Sequence, residues 1–181
     1  ESETEPIFDI GLDTLLTQSS LRQLSSLGLS LQGISDDGVA RLCDAIPTDQ
    51  LTKLDLGDND ITAKGFQTLA ESRLLGQLTS LNLIDNPVGG SHFEGLLKSS
   101  QGRGIKHLGI GGRDWTGSEL AGALERSRLR PTELGLRARE LNTPDIERLV
   151  NVSWAGRLRT LDLSKTKLSE KAIALLSKSE A

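Results

Sequence analysis

The stretch Leu51–Ser72, "LTKLDLGDNDITAKGFQTLAES", carries two hydrophobic periods in succession. Leu51, Leu54 and Leu56 open it, with polar residues between Leu54 and Leu56 and after them, as a short half-buried strand requires. Ile61 follows, then Thr62, a helix N-cap residue type. Phe66 and Leu69 are three apart and share one helix face. The stretch reads as strand, turn, capped helix. Alone it cannot bury its apolar stripe, so the question is whether the chain repeats it.

It does. "LSSLGL" begins at Leu24, "LTKLDL" at Leu51, "LTSLNL" at Leu78, "IKHLGI" at Ile105, "PTELGL" at Pro131 and "LRTLDL" at Leu158, with starts separated by 27, 27, 27, 26 and 27 residues. The register holds through each unit. Ten residues on stand Ile34, Ile61, Val88, Trp115, Leu141 and Leu168, and one further on Ser35, Thr62, Gly89, Thr116, Asn142 and Ser169. The two helix columns hold Val39, Phe66, Phe93, Leu120, Ile146 and Ile173, then Leu42, Leu69, Leu96, Ala123, Leu149 and Leu176. Upstream, Leu12 and Leu15 fall in the same columns. The expected organisation is an N-terminal half repeat or cap helix over 1–23, then six repeats at 24–50, 51–77, 78–104, 105–130, 131–157 and 158–181.

The pattern resembles the leucine-rich repeat family, most closely its ribonuclease-inhibitor-like branch. Leu51–Ile61 fits the consensus L-x-x-L-x-L-x-x-N-x-L, and "LTSLNLIDNPV" repeats it. The segment "AKGFQTLAES" is similar to bacterial intracellular members. The resemblance implies an α/β solenoid, a horseshoe arc with a parallel β-sheet on the concave face and helices on the convex face. The consensus Asn is present only as Asn59 and Asn86. Gln32, Arg113, Arg139 and Thr166 replace it elsewhere, so a continuous Asn ladder is not expected outside the second and third units. Pro131, with no N–H, is expected to interrupt the backbone ladder.

The glycine-rich run Gly109–Gly112 imitates a phosphate-binding loop, but its columns recur in every unit. A dinucleotide fingerprint would need glycine where Asp114 stands, and no G-K-[ST] occurs. Trp115 shares its column with Ile, Val and Leu and belongs to the core. Cys43 reads as a buried small hydrophobe, not a nucleophile. His92 and His107 match no metal spacing, and no G-x-S-x-G elbow is present. Trp154 lies in a return loop where nothing demands an aromatic; it either plugs a gap between helices or marks an exposed contact. "NVS" at Asn151 matches a glycosylation sequon, a pattern short enough to arise by chance.

Composition bounds the rest. The 181 residues carry a net charge of −4, but residues 1–90 hold 14 acids against 5 Lys/Arg and residues 91–181 hold 11 against 16. One end is acidic and the other basic. Nucleic acid is disfavoured by the acidic total. No apolar run is long enough to span a membrane. The one cysteine favours a reducing, cytoplasmic setting. With no methionine at all, the chain reads as a piece of something longer. The expected function is a non-enzymatic scaffold for protein–protein interaction, without cofactor or metal. The alternative is a regulatory or substrate-recognition fragment of a larger enzyme, a kinase or ligase whose catalytic domain lies elsewhere. In the family, partners commonly bind strand side chains between the Leu positions. On that surface Asp55, Asp58, Asp85, His107 and Arg137 are the expected protein-binding anchors, with Leu31, Ile84 and Lys165 beside them in the same columns.

Overall fold

A computed structural model describes residues 8–18, 23–46, 50–164 and 166–177. Lys165 and parts of the N-terminal half unit, 1–7 and 19–22, lie outside the described residues. Helix α1 (Phe8–Leu16) comes first. The units then run β1 (Ser26–Gly28), α2 (Asp36–Ala45); β2 (Lys53–Asp55), α3 (Ala63–Glu71), α4 (Arg73–Gln77); β3 (Ser80–Asn82), α5 (Glu94–Lys98); β4 (His107–Gly111), α6 (Gly117–Glu125). They continue with β5 (Glu133–Arg137), β6 (Glu140–Leu141), α7 (Thr143–Val150); β7 (Thr160–Asp162), β8 (Lys167–Leu168), α8 (Glu170–Leu176).

Strands β1, β2, β3, β4, β5 and β7 form one six-stranded parallel sheet in chain order, and β6 pairs with β8 in a small second sheet. The register follows the repeat: Ser26 faces Lys53, Lys53 faces Ser80, Ser80 faces His107, His107 faces Glu133 and Glu133 faces Thr160. All six N-cap positions fall in the column read from sequence. Thr116 and Asn142 build full capping boxes, while Thr62 and Ser169 accept one backbone N–H each. Gly89 has no side chain to cap with. Its helical half opens instead as a 3-10 turn, Gly90–Phe93, before α5. The return loop after α3 is itself helical (α4), started by Ser72, whose hydroxyl accepts from Leu75 N–H.

The core is the stack of repeat columns. Leu54, Leu81, Leu108 and Leu134 are each no more than 2% exposed. Phe66, Phe93 and Trp115 stack in successive units with ring centroids 4.4 and 5.0 Å apart, and the Trp115 indole N–H donates to Val88 O. Trp154 is buried, which places it as a gap-filler and removes the exposed-contact reading. Cys43 is half-buried at the core's edge, less enclosed than its column suggested, and burial raises its thiol pKa. A neutral thiol is a poor nucleophile.

The ladder is built in two ways. Asn59 accepts from the N–H groups of Gln32 and Ile34 and donates to Leu29 O and Gly57 O. Asn86 accepts from Ile61 N–H and donates to Leu56 O and Leu83 O. Where the Asn is missing, the backbone takes over. β4 and β5 each run two residues further than β3 and stay paired to Gly111–Arg137, and Arg139 N–H reaches Trp115 O. In the last unit the Thr166 hydroxyl donates to Leu136 O and accepts from Ala138 N–H. The ladder therefore persists beyond the units that carry Asn. Pro131 does not interrupt it either. The inter-strand donors are the next two residues, Thr132 and Glu133, both bonded to Lys106 O. The proline forgoes only a return-loop bond of the kind Ile105 makes to Gly102.

The two ends of the sheet differ from its middle. In the last unit Leu158, Leu161, Leu163 and Leu168 are only half-buried, and Ile173 is 53% exposed where its column-mates are at 3% or less. Ile173, Leu176 and strand β7 have no described coil beyond them.

Candidate binding surface

The side chains between the inward leucines line the open face of the sheet. At the fourth position after each unit start, Asp55, Asn82 and Asp162 fold back as Asx turns, accepting from the N–H two residues on, at Gly57, Ile84 and Ser164. For Asp162 the Ser164 hydroxyl, and after it the Ser164 N–H, hold the carboxyl below its ordinary pKa. Asp55 also accepts from the Asn82 amide at 2.8 Å. Its carboxylate is thus occupied in holding β2 to β3.

At the seventh position the backbone turns left-handed: Leu31 has φ 59°, Asp58 50° and Asp85 60°. Asp tolerates this region better than most residues. The fourth unit departs. There Gly111 takes φ 105°, and a Cβ at that position would overlap the Arg137 carbonyl oxygen. A side chain at Gly109 would collide with the Asn82 amide. The glycine run that imitated a phosphate loop therefore has a packing role. It leaves the fourth coil bare, and Asp85 from the third coil meets Arg137 from the fifth above it. Their side chains are 7% and 12% exposed, and Asp85 Oδ2 pairs with the Arg137 guanidinium. Two further expected anchors are consumed by each other. In a thermal-shift assay with millimolar ATP, GTP or NAD, no stabilisation is expected. A reproducible shift of several degrees would mean that the glycine run does bind phosphate.

His107 and Glu133 face each other at 3.4 Å, both about half exposed. Asp58 makes no side-chain bond among the described residues and lines two cavities. The smaller, about 200 Å³, lies over Gly135 between Ile84, Arg137 and Asp162. The larger is a groove of about 620 Å³ along the carboxyl ends of β2–β4, where Leu31, Asp60, Arg113, Asp114 and Glu119 join Asp58. Leu31, at its lip, is 72% exposed. Of the five residues expected from sequence, Asp58 alone belongs to this groove with its charge uncommitted. Asp60, Asp114 and Glu119 also line the groove and were not among the residues expected from sequence. Asp60 and Asp114 share one repeat column, nine residues after the unit start, and that periodicity was the available signal. Among the described residues no cluster of His, Cys, Asp or Glu could hold a metal ion. No described helix is long and apolar enough to cross a membrane.

A leucine-rich repeat family model matches residues 51–70, within a six-stranded parallel sheet whose pairing keeps the repeat register. The fold is a leucine-rich repeat solenoid. It is shared by the actin-binding site 2 of leiomodin-1, at 18% identity over 83% of this chain and 88% of that one, with a TM-score of 0.59. At that identity the likeness is one of fold. An internalin from Listeria monocytogenes aligns at 25% identity over 78% of this chain with a TM-score of 0.44; the aligned part spans 35% of the internalin. No curated protein sequence matches. Stacked repeats of this kind present extended concave surfaces suited to binding.

Proposed function

We propose that this leucine-rich repeat chain, a cap helix followed by six repeats, is a non-enzymatic cytoplasmic protein-binding module. It grips its partner with the acidic groove at the strand carboxyl ends and the adjoining concave residues Asp58 and His107. One observation carries the reading: an open groove whose Asp58 carboxylate has no partner among the described residues, beside a leucine left 72% exposed. Lone exposed charges steer encounter, and an exposed apolar side chain between them supplies contact area. The fitting ligand is a protein segment that presents Lys or Arg together with an apolar side chain. Asp85 and Arg137 support this surface by shaping its floor and are not themselves contact residues.

The test is a pull-down from native lysate with three forms of the protein. Asp58→Asn keeps a residue that tolerates the left-handed backbone and removes only the charge; it is combined with Leu31→Ser. Lys64→Glu with Arg73→Glu, both exposed on the helical side, is the control. The expected result is a partner lost from the first variant and retained by the control, with association slowed roughly tenfold at low salt. Loss from the control alone would move the site to the convex helices.

A further inference from the structure

The opposite rim carries the opposite charge. At the amino ends of β4, β5 and β7 the return loops hold Arg103, Lys106, Arg128, Arg130, Arg157 and Arg159, all exposed. The segments 95–113, 126–132 and 148–161, which contain these loops, have no Asp or Glu at all. Only Arg130 is engaged locally, donating to the carbonyls of Ser127 and Leu129. The other cations make no ion pair among the described residues. On the helical side, by contrast, Arg126 pairs with Glu94 and Arg148 with Glu125. The loops are stacked by their backbones, Lys106 on Thr79, Thr132 on Lys106 and Arg159 on Thr132. Cations therefore recur along the rim from coil to coil, about 4.8 Å apart per strand step.

From this we infer that the basic rim of the last three coils is a second docking surface, for an acidic, extended protein segment. The inference goes beyond the groove reading and does not depend on it. Guanidinium groups suit carboxylates because they can bind both oxygens at once. Single-stranded nucleic acid fits less well. Its bases need aromatic platforms, and Phe66, Phe93, Trp115 and Trp154 are all buried. An anionic membrane fits less well too, because the large exposed apolar side chains, Leu31 and Ile173, lie outside these loops.

The experiment is fluorescence anisotropy with a labelled oligoglutamate peptide. The expected result is binding that weakens as salt rises and that falls by roughly tenfold or more in Arg103→Glu/Arg128→Glu/Arg159→Glu. Because the three residues are exposed, the variant should melt with the wild type; a version with Gln at the three positions checks the result with less perturbation. Asp58→Asn should leave peptide binding unchanged, which separates this surface from the groove. Unchanged binding in both rim variants overturns the inference. So does tighter binding of single-stranded RNA, or of phosphatidylserine vesicles, than of the peptide. Salt-sensitive self-association that the rim variants abolish would also overturn it, by showing that a second copy's acidic groove is the occupant.

Discussion

Leu81→Asp should abolish the cooperative thermal transition of the middle coils. Leu81 sits on the central strand β3, 1% exposed, between Leu54 of β2 and Leu108 of β4. Truncating a buried leucine costs about 2–5 kcal/mol. An unpaired carboxylate left in the same place adds several kcal/mol more. Domains have only about 5–15 kcal/mol in hand. Damage to a central coil also removes the neighbour contact of coils on both sides. Circular dichroism against temperature reads the result. Ser80→Asp is the internal control, since Ser80 precedes Leu81 and points to the open face; its effect should be about 0.5 kcal/mol, as for surface positions. A Leu81→Asp melt within a few degrees of wild type would show that the register is wrong.

Asp85→Asn should be the most damaging substitution on the open face. Asn tolerates φ 60° as well as Asp, so the backbone is spared. What is lost is the countercharge of a guanidinium that is 12% exposed. Removing one member of a buried pair costs about 3–5 kcal/mol, and the lower figure applies to a group that keeps some water. At roughly 2–4 °C per kcal/mol for a chain of this size, the midpoint should fall by roughly 6–12 °C. The double variant Asp85→Leu/Arg137→Met should recover most of the loss, because a buried ion pair exchanged for apolar groups is often neutral. Leu31 already occupies the equivalent left-handed position at φ 59°. Differential scanning calorimetry of the two variants decides it. If the single change is silent, Asp85 and Arg137 are independent surface residues after all.

These two residues also show where sequence reasoning stopped. Strand register, helix columns and all six cap positions were legible, because each repeats at a fixed spacing and each is a local requirement. The fate of the polar side chains was not. Asp55 looked free because its partners are uncharged: an N–H two residues on and an amide 27 residues on. Asp85 and Arg137 are 52 residues apart and meet only because the coil between them is bare. Glycines at the fourth and sixth positions of one unit, with an acid before and an arginine after in neighbouring units, were the trace of it. A column-by-column reading compares like positions and does not see a contact that skips a coil. The same limitation hid the ladder in the fourth and fifth units, where lengthened strands replace the missing asparagines.

The half-buried leucines of the last coil bear on what a stability measurement means for this molecule. A coil whose leucines are fully buried and a coil whose leucines stay half-buried do not share a single free energy of opening. Heating opens the less buried coil before the middle ones, so a midpoint describes a set of coils, as it does for the Asp85 variant, rather than the whole chain. The chain has two built-in reporters at different places along it. Trp115 lies in the aromatic stack of the middle coils, and Trp154 precedes the last strand. Their emission belongs to two different openings, so a fluorescence midpoint taken from both together is an average over two events rather than a property of either.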